Sequence, residues 1–241
     1  MNRRGFLTTA AMLGVAATVL PVANAVAADE SAKADALSPE KAKLTPPASG
    51  SIPVAILISA GVNVIDFSGP WGVFESVSLP GADAPPFRLL AVAESPDVVI
   101  SGSGLKLVPH YTFANVPEVK VVVIPAQRGS DAMREWLRKV AKNADVTMSV
   151  CTGAFHLAKA GLLSGKAATT HHEFIDKLQR EFPDIDVKRG LRFVEGEKIS
   201  TAGGLTSGTD LALRVVERYF GRQVAQTTAT YMEYQGKGWI V

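Results

Sequence analysis

A chain of 241 residues, 47% hydrophobic and 20% charged, can bury a full-sized core, and its single cysteine, Cys151, rules out an internal disulfide. The formal net charge of +2 equals the contribution of Arg3 and Arg4, so beyond the N-terminal stretch positive and negative side chains balance. That leaves no basic cluster dense enough for a phosphate backbone, and nucleic acid is not an expected partner.

The chain opens as an address. Arg3-Arg4-Gly5-Phe6-Leu7 precedes an apolar run to about Leu20, and Ala23-Asn24-Ala25 fits an A-x-A cleavage site. Residues 1–25 are therefore expected to be a twin-arginine signal peptide that sends the protein to the periplasm. An uncleaved anchor is the competing reading, but the run is interrupted by Gly14 and Pro21 and is shorter than a span of ~20 residues. No later run is long and apolar enough to cross a bilayer. Residues 26–50 are rich in Ala, Asp, Glu, Lys, Ser and Pro and end in Pro46-Pro47-Ala48-Ser49-Gly50. This composition reads as a flexible tether ahead of one domain over 51–241.

Within the domain, short apolar runs alternate with helical patterns, which predicts an α/β fold with a mostly parallel sheet covered on both faces. Pro53–Ser59, Phe87–Ala93, Val119–Ile124 and Val146–Val150 read as strands buried on both sides. Ser130 is placed to cap a helix carrying Met133, Trp136, Leu137 and Val140. Thr170-His171-His172-Glu173 has the form of a capping box. Arg192–Ala202 reads as a hairpin turning at Glu195-Gly196-Glu197. Leu211, Val215 and Tyr219 form a helical stripe that Gly221 ends. Pro70, downstream of Asp66, marks a helix start.

The chemistry centres on Val146–Leu163, VTMSVCTGAFHLAKAGLL. A strand ends at Val150, Cys151 follows at once, and the small residues Thr152-Gly153-Ala154 open a helix. This is the arrangement of a nucleophile elbow. A thiol there meets backbone N–H groups and a helix N-terminus, which predicts a pKa below the ~8.5 of a free thiol. The competing reading is an inert core cysteine. Asp66, on the loop after the first strand, reaches the same crevice at the carboxyl edge of the sheet. It is either an acid–base partner of the thiol or a turn aspartate. His171 is either a proton acceptor in the first turn of its helix or a surface histidine. His172 reads as structural or as pocket wall, His156 should point away from the thiol, and His110 stands alone. The four histidines and one cysteine have no metal-ligand spacing.

CTGAFHLAKAGLLSGKAATTH, with VIDFSGPWGVFES before it and ISTAGGLTSGTDLAL after it, resembles the ThiJ/PfpI superfamily, and within it the isonitrile hydratase group and the sensor domains of AraC-type regulators. The resemblance implies a flavodoxin-like three-layer sandwich, a homodimer, a small-molecule substrate, and no metal or organic cofactor. It places the nucleophile at Cys151, its acidic partner at Asp66, an assisting hydroxyl at Thr152 and a near-site histidine at His171. Gly153 and Gln127 are the expected substrate contacts. The implied activity is a cysteine-dependent hydration of a small electrophilic carbon, an isonitrile giving an N-substituted formamide. The alternatives are a cofactor-free glyoxalase or deglycase and a non-enzymatic periplasmic thiol sensor or holdase. The chain departs from the family after the third strand, where Pro125-Ala126-Gln127 replaces Pro-Gly-Gly, so Gln127 or Arg128 is expected to reshape the pocket.

Overall fold

The structure, a computed structural model, describes residues 43–241. The expected export signal and most of the expected tether lie outside the described residues. Strands β1 (Ile52–Leu57), β2 (Phe87–Ala93), β5 (Tyr111–Thr112), β6 (Val121–Ile124), β7 (Val146–Val150), β10 (Phe193–Val194) and β11 (Ile199–Ala202) form one sheet in the order β10-β11-β7-β6-β1-β2-β5. Every pairing is parallel except β10 with β11, the expected hairpin. Two short pairs stand apart, β3 (Val99–Ile100) with β4 (Lys106–Leu107) and β8 (Ala167–Ala168) with β9 (Asp186–Val187).

Helices cover both faces, because alternate side chains of each central strand point opposite ways. Val121, Val123, Val146, Met148 and Val150 pack with Val73 and Phe74 of α1 (Val64–Glu75) and with Leu211 and Val215 of α5 (Ser207–Phe220). Ala225 and Ala229 of α6 (Arg222–Tyr231) join the same core. Val122 and Ile124 face the other way, onto Met133 and Leu137 of α2 (Asp131–Val140). Leu157 of α3 (Ala154–Lys159) and Leu178 of α4 (Ile175–Glu181) complete that layer. The result is the three-layer flavodoxin-like sandwich.

Local signals hold in most places. Ser130 caps α2 by accepting the Met133 N–H at 3.0 Å, and Gly221 (φ 87°) separates α5 from α6. Two differ. Pro70 lies inside α1, where it leaves the Asp66 carbonyl without a helical N–H, rather than at the helix start. The hairpin does turn at Glu195-Gly196-Glu197, and there the Glu195 carboxylate is buried and meets Arg214 at 2.8 Å. Ahead of β1, Leu44 packs on the core and donates its N–H to the Arg218 carbonyl at 2.8 Å, so the last part of the 26–50 segment is fastened to α5.

Candidate active site

Cys151 stands between the end of β7 and a 3₁₀ turn, Cys151–Gly153, that leads into α3. Its backbone is left-handed, φ 57°, which costs an L-residue roughly 1–2 kcal/mol. Two hydrogen bonds hold it there. The Cys151 N–H donates to the Gly203 carbonyl at 2.7 Å, and the Cys151 carbonyl accepts the Thr170 hydroxyl at 2.8 Å. Thr170 therefore does not form the expected capping box. Its buried hydroxyl satisfies a carbonyl turned out of the strand ladder, and the cap of the next turn falls to His171, whose Nδ1 accepts the Glu173 N–H at 3.3 Å.

The elbow is tight because residue 153 is glycine. A Cβ there would lie 2.0 Å from the Ile124 carbonyl oxygen. Gly153 thus lets the turn pack backbone to backbone against the end of β6. The same approach answers the missing Pro-Gly-Gly. The β6 loop comes close without those glycines because the space is made on the Cys151 side.

Asp66 enters from the first turn of α1 and is fully buried. Helix α1 reaches this depth through small residues. Gly69 lets it approach Thr209, and Gly208 of α5 lies against Val150 and Pro70. One carboxylate oxygen, Oδ2, accepts the Ala126 N–H at 3.1 Å. The other, Oδ1, is buried without a well-formed bond, and the Cys151 thiol is the hydrogen-bonding side chain that the carboxyl meets. Burial outweighs these contacts and pushes the Asp66 pKa up from 3.8 to about 6.

The Thr152 and Leu205 N–H groups and the Thr152 hydroxyl lie beside the sulfur. These favour a thiolate, as the sequence predicts, but they do not win. Burial, followed by the neighbouring Asp66 carboxylate, pushes the Cys151 thiol up to about 11. The expected low-pKa thiolate is corrected on this point: at rest the sulfur is a thiol facing a carboxylate. The geometry pairs a buried thiol with a buried carboxyl whose pKa lies near neutral pH, an arrangement able to pass a proton between them.

The other expected residues divide. Thr152 is at the sulfur. The His171 ring lies against Gly204, where a Cβ would be 2.4 Å from Cδ2, so it supports the Gly203–Leu205 loop. Its Nδ1 is spent on the Glu173 N–H, which puts the proton of the neutral ring on Nε2. His156 turns away, with Nε2 bonding the Gln127 carbonyl at 3.0 Å, and burial lowers its pKa. His110 accepts the Ala91 N–H. Gln127 holds a buried side-chain amide with no hydrogen-bond partner among the described residues, in the loop that delivers the Ala126 N–H to Asp66. Sequence reasoning missed the Ala126 and Leu205 amides, which carry no side-chain signature, and Thr170, whose pairing with Cys151 is made across the fold. The Gly203-Gly204 pair ahead of Leu205 marks a close backbone approach and was the available signal.

Residues 53–218 match the DJ-1/PfpI family model. The isonitrile hydratase of Pseudomonas putida is 32% identical over 190 residues, covering 76% of this chain and 79% of that protein. The HTH-type transcriptional regulator CdhR of Pseudomonas aeruginosa is 38% identical over 101 residues, which is 42% of this chain and 30% of the regulator. Among solved structures, a ThiJ/PfpI family protein from Pseudomonas syringae superposes with a TM-score of 0.66 at 29% identity, covering 78% of this chain and 77% of that one.

Proposed function

The chain belongs to the DJ-1/PfpI family, and from that premise we propose that it is a cysteine-dependent hydratase acting on a small electrophilic carbon, with isonitriles as substrate. The observation that carries this reading is the buried Asp66 carboxyl, raised to about 6, facing the Cys151 thiol. The similarity to an isonitrile hydratase over most of both chains supports the choice of substrate.

In this reading Asp66 takes the thiol proton as sulfur bonds to the terminal carbon of R–N≡C. It returns that proton to the same carbon, leaving the thioimidate R–N=CH–S–Cys151. Water, held by Asp66 or by the Thr152 hydroxyl, then adds to the carbon while a proton reaches nitrogen. The C–S bond breaks, the sulfur regains its proton, and R–NH–CHO departs. One residue moving a proton in both halves suits a pKa close to working pH, and such acid–base assistance contributes ~10²–10⁴-fold.

The test is turnover of the mature protein against an alkyl isonitrile and against methylglyoxal, with Cys151→Ala as control. Formamide production that Cys151→Ala abolishes supports the reading. Turnover of methylglyoxal alone would replace it with the carbonyl chemistry, and turnover of neither would leave the thiol-sensor alternative.

Assembly and location belong to the same proposal. Exposed Val98, Ile100, Leu105 and Val108 around the β3–β4 pair, with Ile65 on α1, make an apolar surface suited to a second copy. Ile100→Asp with Leu105→Asp should convert a dimer to a monomer in sedimentation, and a wild-type monomer would refute the assembly. Export by the twin-arginine route rests on Arg3-Arg4. Arg3→Lys with Arg4→Lys should keep the protein out of the periplasm, and continued export would point to the general secretory route.

A further inference from the structure

The loop Gly203–Thr206 makes two contacts with the nucleophile. The Gly203 carbonyl accepts the Cys151 N–H at 2.7 Å, and the Leu205 N–H lies near enough to the sulfur to favour its thiolate. Leu205 does this from a left-handed backbone, φ 51°, which is disfavoured for a bulky residue and persists only where the surroundings impose it. Its side chain is 40% exposed and contributes little to holding the loop.

The restraints come from elsewhere, and they converge on Arg192. The Arg192 carbonyl accepts the Gly203 N–H at 2.9 Å, fixing the start of the loop. The Arg192 guanidinium donates from Nη2 to the Thr206 hydroxyl at 3.3 Å, fixing its end. The same guanidinium is anchored from below, with Nε at 2.7 Å from Oδ2 of Asp210, a buried carboxylate on α5. Tyr234 donates to the other Asp210 oxygen at 2.9 Å, so the anchor is itself held. A planar, multi-donor head is needed to grip two partners in this way, which an ammonium does less well.

We propose that Arg192 is a positioning residue for the Cys151 nucleophile, clamping the Gly203–Thr206 loop between Asp210 and Thr206 so that the Leu205 N–H points at the sulfur. The inference rests on the reading of Cys151 as a nucleophile. It adds a residue far from the elbow in sequence that sets how readily the thiol ionises. The charged and titratable groups around this assembly are Asp66 from α1, His171 beside Gly204, Asp210, Tyr234 and Arg192 itself. Asp66 is the one whose charge acts on the thiol.

The experiment is a titration of the Cys151 thiolate by its ultraviolet absorbance, with Cys151→Ser protein as blank, alongside the pH dependence of alkylation by iodoacetamide. Arg192→Lys keeps a cation beside Asp210 but loses the two-way grip. It should raise the thiolate midpoint by about one unit and slow alkylation at fixed pH by about tenfold. Thr206→Val, at an exposed position where folding is not at stake, should move both readouts the same way by about threefold, and Thr206→Ser should restore them. Wild-type midpoints in both Arg192→Lys and Thr206→Val would overturn the proposal, even if either variant melts at a lower temperature. A midpoint that moves as expected in a protein that hydrates no isonitrile would refute the proposed function and leave the positioning role standing.

Discussion

Replacing Asp66 by Asn should stabilise the fold at neutral pH while impairing catalysis. The carboxyl is fully buried, and its pKa rises from 3.8 to about 6, chiefly through desolvation. A raised carboxylate pKa means that the folded state binds the proton more tightly than the unfolded chain does. Well below pH 3.8 both states are protonated and the group has no effect on stability. Between the two pKa values the unfolded state ionises first, and the fold loses stability as pH rises. Above about 6 the loss is complete, at ~3 kcal/mol for a shift of roughly two units. Asn keeps an oxygen to accept the Ala126 N–H and an NH₂ to face the sulfur, but carries no charge to desolvate. Denaturant unfolding at pH 4 and at pH 8 measures the difference directly. Asp66→Asn should lie within ~0.6 kcal/mol of the wild type at pH 4 and exceed it by up to ~3 kcal/mol at pH 8, with ~2–4 °C in Tm per kcal/mol. An Asn variant less stable at pH 8, or a difference independent of pH, would refute the reasoning that the fold tolerates an uncomfortable carboxylate for its chemistry.

Other outcomes follow from the same geometry. Gly153→Ala should destabilise by ~2 kcal/mol or more in thermal unfolding, because its Cβ would lie 2.0 Å from the Ile124 oxygen and something must move. Thr170→Val, nearly isosteric, leaves the Cys151 carbonyl without its donor and should cost ~1–3 kcal/mol, with slower turnover as the elbow relaxes. The pH profile of wild-type kcat/KM should rise through about 6, as Asp66 becomes the base, and Asp66→Asn should lose that limb. A flat profile across that range would remove Asp66 from the proton path.

The parts of this account legible in the sequence were those with strong local signatures. β1, β6, β7 and, beyond its exposed Arg88, β2 are largely apolar runs of four to seven residues buried on both faces, so the sheet's centre announced itself. The two-residue strands β3, β4 and β5 have no such run and are defined by what they lie beside. At the site, the elbow at Cys151 and the partnership with Asp66 were readable, one from the strand–small-residue–helix pattern and both from family likeness. The direction of the thiol pKa was not. Local sequence records the N–H donors that lower it, whereas the burial and the incoming carboxylate that raise it depend on how α1 docks through Gly69 and Gly208. Thr170 shows the same limit in reverse. Its capping-box pattern is sound locally, but a buried carbonyl nineteen residues away competes for the hydroxyl and takes it.

The most direct test of the central claim, that Cys151 forms a bond to substrate with Asp66 moving the proton, is intact-mass spectrometry of an acid-quenched reaction with an alkyl isonitrile. The expected result is an adduct heavier by one whole isonitrile, located at Cys151, accumulating before formamide appears and absent from Cys151→Ser. Formamide released at an undiminished rate by Cys151→Ser would contradict it.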